Sequence, residues 1–384
     1  MSKIQNRKKN VLIIQWLIKH YRKPFYEQLR NDLSEFGFNL TIAYSQPPAF
    51  EDAKQDNIEL DPEYSNKVTS YWFFGNRLLF QNALRDIFKA DYIIIEHANK
   101  HILNYFLLLL GLLRVKKIAF WGHGRNFQSD GSNFSDTILK FTAALSSWWF
   151  AYTEASSDHI QSLGYPTEKI TVVENSIDAL GLMEIIENLD AKTKCEYLEN
   201  ISASANDPIG LFCGSFYEHK KLPFIFDSII EIKNQIPNFK FLFIGNGPDM
   251  SKVEEFCKKN DDFAFNLGFL DQKSKAPWFS ISDLMINPGL VGLSIIDSFA
   301  AGLPIITANI SIHSPEIAYL QSNYNGLILE NDVEVYSKEV ILLLKEGSRL
   351  KTLAKNAKDS GKRLTIENMS KNFSQGICDW TKAR

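Results

Sequence analysis

The sequence predicts an α/β protein built from two doubly wound halves, and three observations lead there. Short apolar runs alternate with helical patterns almost from end to end. The alternation breaks at a polar stretch near the middle and then restarts. At 384 residues the chain is too long for one ordinary core and suits two domains of typical size.

In the first series, strands are expected at 11–14, 40–44, 92–95, 117–121, 149–152 and 170–173, with helices at 23–33 and 156–163. The second series places strands at 209–213, 241–244, 263–267, 284–287, 304–307 and 326–329. Its helices are expected at 222–235, 250–259, 294–301 and 333–345. Between the two, from Leu180, a helix-like segment rich in Glu and Lys ends in the polar run Ser202-Ala203-Ser204-Ala205-Asn206-Asp207. The expected division is therefore a domain over 1–178, a linker over 179–207, a domain over 208–359 and a helical tail over 360–384 that folds back on the first domain. Open α/β sheets bind ligands beyond the carboxyl ends of their strands, and two such halves naturally create an interdomain cleft.

Composition narrows the class. Hydrophobic residues at 45% and charged residues at 23% are normal for a globular protein and exclude disorder. A net charge of -3 gives no footprint for nucleic acid, and the basic runs Arg7-Lys8-Lys9 and Lys116-Lys117 are short. Cys195, Cys213, Cys257 and Cys378 lack C-x-x-C spacing, so neither a zinc site nor a disulfide framework is indicated, and a reducing cytosol is expected. The polar, basic start runs into Val11 without the apolar core of a signal peptide. The longest apolar stretch, 102–113, is too short to span a bilayer. It reads as a buried helix. With Arg114, Lys116, Lys117 and the cluster Trp148-Trp149-Phe150, it also reads as a helix touching the inner face of the cytoplasmic membrane.

The richest motif runs from Asn287 to Pro304, N-P-G-L-V-G-L-S-I-I-D-S-F-A-A-G-L-P. It has the form of a strand end, a glycine-lined turn and the first turns of a helix. Glycines let a backbone approach closely, and a helix N-terminus offers unpaired N–H groups, so this junction suits a phosphate. Gly289, Gly292, Leu293 and Ser294 would form the cradle, with Leu290 and Val291 inside the same loop. Asp297 follows Ser294 by three residues, shares its helical face and can accept hydrogen bonds from a diol such as a ribose. An ordinary strand-to-helix turn with two glycines would carry the same letters.

Other segments extend the pattern: I-G-L-F-C-G-S-F-Y-E-H-K-K from Ile209, F-L-F-I-G-N-G-P-D from Phe241, Leu267-Gly268-Phe269, and K-I-T-V-V-E-N-S-I-D from Lys169. Together with the loop after Asn287, these resemble, in order and spacing, the motifs of retaining GT-B glycosyltransferases, the group called glycosyl transferases group 1 or family 4. The resemblance runs from about Val11 to Gly361. It implies a GT-B fold of two Rossmann-like domains and a nucleoside diphosphate sugar donor held by Gly214, Ser215, Gly245, Gly268 and the loop from Gly289 to Asp297. Lys220 is implied as the pyrophosphate clamp, with Lys221 the alternative because the register after Ser215 is open by one residue. His123, in Phe120-Trp121-Gly122-His123-Gly124, matches the histidine the family places near the donor sugar and acceptor, so His123, Lys220 and Asp297 are the expected catalytic set.

The chain also departs from the family. An arginine usual after the first glycine of its motif falls on Ser215, and the first of the family's two donor-loop carboxylates falls on Gly289. A subset of relatives carries P-G-x-V-G-L in that loop. Glu96 and His97 end another strand and are expected on the acceptor side. So are His20 and Arg22, whose basic segment would meet an anionic acceptor such as a lipid-linked diphosphate sugar, unless Lys23 and Pro24 simply open a helix. His313 and Glu316 resemble the family's loop near the donor.

No D-x-D motif or metal-ligand cluster is present in the sequence, and the resemblance implies transfer without metal or cofactor. It further implies retention by front-face attack, the departing phosphate oxygen taking the acceptor proton. The expected function is sugar transfer to a saccharide or lipid-linked saccharide in bacterial surface polysaccharide assembly. A nucleotide-sugar 2-epimerase shares the architecture, and Gly289 with Ser215 motivates a non-catalytic nucleotide-sugar-binding or scaffold subunit.

Overall fold

A computed structural model describes residues 7–47, 57–124 and 141–383, so the basic start before Arg7 lies outside the described residues. Two compact units emerge: Met1–Ile177 with Ile366–Arg384, and Asp178–Thr365.

The strands of the first unit are β1 (Lys9–Gln15), β2 (Phe38–Tyr44), β3 (Ser65–Lys67), β4 (Ser70–Phe73), β5 (Leu78–Gln81), β6 (Tyr92–Glu96), β7 (Lys117–Gly122), β8 (Trp148–Ala151) and β9 (Ile170–Val172). Seven of them form a parallel sheet in the order β3-β2-β1-β6-β7-β8-β9, while β4 and β5 pair as an antiparallel ribbon. Central strands such as β1 bury four consecutive apolar residues because helices cover both sheet faces.

The second unit holds β10 (Ile209–Cys213), β11 (Lys240–Ile244), β12 (Ala264–Asn266), β13 (Leu284–Ile286), β14 (Ile305–Ala308) and β15 (Gly326–Leu329). They make one parallel sheet in the order β12-β11-β10-β13-β14-β15. Its core is rich in phenylalanine, with Phe212, Phe216, Phe241 and Phe243 fully buried. Both halves are thus doubly wound α/β units, as expected.

Three expectations need correction. The segment 179–207 is helix-like as expected but belongs to the second unit and is not a separate linker: it forms helices Ala179–Glu187 and Ala191–Asn200, capped by Asp178 and Asp190, whose carboxylates accept from Gly181 N (2.9 Å) and Thr193 N (2.7 Å). The first helix buries Ala179, Leu182 and Met183 and packs on helices Gln272–Ser280 and Ser294–Ala300. An apolar stripe outweighs a charged composition here.

The tail begins later than expected. Ser360 and Gly361 finish helix Ser348–Gly361 of the second unit, and only helix Ile366–Lys382 rejoins the first. Its Met369, Phe373, Ile377 and Trp380 recur at helical spacing and enter the core, where Phe373 stacks on Phe150 at 4.3 Å.

Finally, Trp148, Trp149 and Phe150 lie buried in β8 and offer nothing to a membrane. Helix Ile102–Leu112 buries Leu103, Leu107 and Leu108 yet exposes its other apolar side. Among the described residues no helix is long and apolar enough to cross a membrane.

Candidate functional site

The donor-side residues named from sequence converge at the carboxyl end of the second sheet. Gly214 follows β10, Gly245 follows β11, Gly268 lies just past β12, and the loop from Gly289 follows β13. β10 sits between β11 and β13, where the strand order reverses, the position at which open α/β sheets hold their ligands. Gly214 N donates to Ile244 O at 3.0 Å and Gly245 N to Gly268 O at 2.8 Å, which knits the three turns together. Gly245 has φ +150°, and a Cβ there would run into the Gly214 carbonyl oxygen. Close approach of two backbones therefore demands glycine at this point. Ser215, next in line, is exposed.

Lys220 ends the short 3-10 turn Glu218–Lys220 and is buried. Its ammonium donates to Leu290 O at 2.5 Å, while Leu290 N donates to His219 O at 2.8 Å, so turn and loop hold each other from both sides. Among the described residues Lys220 pairs with no carboxylate. Burial pulls its pKa from 10.5 down to about 8. The neighbouring Cys213 thiol, itself pushed up to about 12 by burial, acts to raise Lys220 again but does not overcome the burial.

Lys221 takes a left-handed conformation (φ 55°) that turns its amine away, to Asn331 and to the Phe224 ring at 4.6 Å. Of the two lysines that the sequence left open, Lys220 faces the loop.

The same turn accounts for Gly289. A Cβ there would collide with His219 O and with the backbone of Lys220. The backbone of the lysine turn therefore leaves no room for a side chain at this position. Val291, further along the loop, is clamped on both sides: its N–H donates to His313 Nδ1 at 3.2 Å, and its carbonyl accepts from Ser314 N at 2.9 Å. His313 Nε2 donates to Ala308 O at 3.0 Å, an arrangement that needs the neutral ring, and burial holds the His313 pKa below 6.5. Glu316 is buried on the same segment. Gly292 and Leu293 lead into helix Ser294–Ala300, and the Ser294 hydroxyl is buried without a hydrogen-bond partner among the described residues.

Asp297 is buried in the first turn of that helix and receives Lys275 Nζ at 2.7 Å. Desolvation acts to lower the Lys275 pKa, but Asp297, Cys213 and Asp178 together outweigh it and hold it above 10.5. Sequence reasoning missed Lys275. Pro277 inside helix Gln272–Ser280 hid the helix, although Asp271, which accepts from Ser274 N at 2.8 Å, is a legible N-cap that places Lys275 in the first turn. Lys275→Met should lower stability by about 2 kcal/mol, less than for a fully buried pair because the two side chains retain 14% and 10% exposure. Lys275→Arg should restore most of it. Urea denaturation of the two variants checks this.

In the first unit, the structure brings Arg22 and His123 together around Tyr152. The Arg22 guanidinium lies 6.0 Å from the Tyr152 ring and 5.5 Å from that of Trp121, and donates to Ser176 O at 3.4 Å. The His123 ring, just past β7, sits 5.1 Å from Tyr152. Glu96 ends β6 beside Trp121 in register. His20 is exposed on the turn His20–Arg22, and Lys23 with Pro24 opens helix Lys23–Glu35. His97 does not join the group. Its ring packs on Phe120 (4.5 Å) and Trp149 (4.9 Å), and its Nε2 lies 3.2 Å from Thr142 Oγ1. Those partners belong to the core layer of the sheet face opposite Trp121, because neighbouring strand residues alternate faces. Among the described residues no three His, Cys, Asp or Glu side chains are grouped to hold a metal ion.

Comparison with known proteins agrees with this layout. The family model Glycosyltransferase Family 4 matches residues 25–179, and the model Glycosyl transferases group 1 matches 207–346. The alpha-monoglucosyldiacylglycerol synthase of Acholeplasma laidlawii is 25% identical over 188 residues, 46% of this chain and 46% of that protein, so the match spans about half the length of this relative. Among solved structures, a glycosyltransferase from Rickettsia africae superposes with a TM-score of 0.70 at 15% identity, covering 98% of this chain and 100% of that one. Anabaena Alr3699/HepE in complex with UDP gives 0.69 at 12% identity, covering 96% and 99%. With a family 4 domain followed by a group 1 domain on a GT-B fold, the chain belongs to the family 4 and group 1 type of glycosyltransferases.

Proposed function

We propose that the protein transfers a sugar, with retention of anomeric configuration and without a metal ion, from a nucleoside diphosphate sugar to a saccharide or lipid-linked saccharide acceptor in bacterial surface polysaccharide assembly. The observation that carries this reading is Lys220: a buried ammonium without a carboxylate partner among the described residues, clipped to the loop of the glycine-lined turns. Such a cation is poised for an anionic ligand, and a diphosphate leaving group gains negative charge as the glycosidic bond breaks. The Ser294 hydroxyl would add a donor to it. Asp297, fixed by Lys275, would accept from the ribose hydroxyls. His123 and Arg22 are the polar groups the first unit offers to sugars. In this reading positioning and electrostatics supply the rate, and the departing phosphate oxygen takes the acceptor proton. Alr3699/HepE has been described with UDP and glucose, which supports a nucleotide-sugar donor here.

The test is a thermal-shift screen without added metal against UDP, GDP, ADP, TDP, CMP and their sugar conjugates. It is followed by acceptor-dependent release of nucleoside diphosphate and NMR assignment of the product anomer. A selective shift with acceptor-dependent release supports the proposal. Binding without turnover favours a non-catalytic subunit, the reading that Gly289 and Ser215 motivate. Release without acceptor and with inversion at the sugar C2 favours a 2-epimerase.

A further inference from the structure

In the second unit five buried side-chain nitrogen and oxygen atoms have no hydrogen-bond partner among the described residues, and four of them belong to one place, the root and end of the donor loop. Asn287 contributes both ends of its carboxamide, Ser294 and Thr307 their hydroxyls. Asn287 N donates to Ile306 O at 2.9 Å, which carries the pairing of β13 with β14 one step further and sets Asn287 beside Thr307. Strand residues alternate faces, and Ile286 and Ile306 enter the phenylalanine-rich core, so this polar pair lies on the opposite face of the sheet. Both residues are fully buried. Buried polar groups are ordinarily bonded, and a cluster that is not calls for a second state in which it is.

The bonds of the loop run elsewhere. Leu290 O accepts from Lys220 and Leu290 N donates to His219 O, while Val291 is held by His313 and Ser314. These clips all reach in from neighbouring turns. One of them is the ammonium assigned above to the diphosphate, so ligand and loop compete for Lys220. A phosphate oxygen is a stronger acceptor than a peptide carbonyl, and an ammonium drawn toward it takes the donor from Leu290 O. Asn287, three residues earlier, carries two unused N–H groups on Nδ2, and Thr307 an unused hydroxyl. We propose that Asn287 and Thr307 are positioning residues of the donor site: with a diphosphate on Lys220, the loop 288–293 moves onto their side chains, which take over Leu290 O and hold the loop in its ligand-bound seat. The two states of the loop then differ in their contacts, as a ligand-driven shift requires. The inference rests on the reading of Lys220 as the diphosphate clamp.

The experiment is calorimetric titration of UDP, GDP, ADP and TDP into the full chain and into its Thr307→Val and Asn287→Leu variants, with melting of each ligand-free protein. Valine keeps the shape of threonine, so Thr307→Val removes a hydroxyl that bonds nothing in the ligand-free state. Its melting temperature should hold or rise by about 3 °C, whereas affinity for the preferred diphosphate should fall roughly fivefold. Asn287→Leu should show the same two signs with affinity roughly tenfold lower, and Thr307→Ser should keep most of the wild-type affinity. Amide exchange across 288–293 should slow on diphosphate binding in the wild type and not in Asn287→Leu. Ligand-free melting that falls in both variants, with affinity at the wild-type value, assigns the pair to structure and overturns the proposal. So does exchange that slows as much in Asn287→Leu as in the wild type. A wild type that binds none of the four diphosphates overturns the donor reading and this inference with it, whereas wild-type binding matched by both variants overturns the inference alone.

Discussion

Lys220→Met should weaken binding of a nucleoside diphosphate roughly a hundredfold, the worth of a charge-assisted hydrogen bond to phosphate, while raising the stability of the ligand-free protein. The second half of this expectation follows from burial. In the unfolded chain Lys220 titrates at 10.5, and in the fold at about 8. Between those values the unfolded state binds more protons, so this group's contribution to stability rises with pH over that window. Below about 8 the full penalty is present, about 3 kcal/mol for a shift of this size. Methionine removes it and forfeits the bond to Leu290 O, worth about 1 kcal/mol, leaving a net gain of about 2 kcal/mol and a melting temperature several degrees higher. Calorimetric melting of the apo variant, paired with titration of the diphosphate, checks both signs. A site that is costly to the fold and useful to the ligand is the behaviour of a binding group; a structural lysine would lose stability on removal.

Gly289→Glu puts a carboxylate where the resemblance read from the sequence implies one, and it should damage the protein. The collision arises at the Cβ, against His219 O and the Lys220 backbone, and backbone cannot swing aside as a side chain can. Gly289→Ala should therefore cost nearly as much as Gly289→Glu, on the order of 3 kcal/mol, and both should displace Lys220 and weaken diphosphate binding. Urea denaturation with parallel titration measures the two effects. Wild-type stability in Gly289→Glu would show that the loop does not rest on the lysine turn.

The two sheets were legible because their inner strands are buried on both faces: β1, β10 and β11 read as continuous apolar runs that need no long-range information. β3, β4 and β5 were not, being short, partly exposed and lacking such a run. The donor loop was legible from its glycines, but what distinguishes Lys220 from Lys221 is a single left-handed residue. No local pattern announces that φ. Lys275 went unread because its helix contains Pro277, and its pairing with Asp297 spans residues that only the fold brings together. The helices at 179–200 were expected as a helix-like linker, and what the sequence did not reveal is that Ala179, Leu182 and Met183 bury them in the second unit. The side to which His97 turns was not legible: a polar residue after a strand can turn to either face, and here its ring packs on Phe120 and Trp149.

The central claim is that the second sheet's carboxyl edge binds a nucleoside diphosphate through Lys220, and calorimetric titration of UDP, GDP, ADP and TDP at pH 7 and pH 9 tests it most directly. For a lysine that titrates at about 8, affinity of the preferred diphosphate should fall about tenfold between the two pH values in the wild type and show no such fall in Lys220→Met. Equal affinity at both pH values, unchanged by Lys220→Met, would contradict the account.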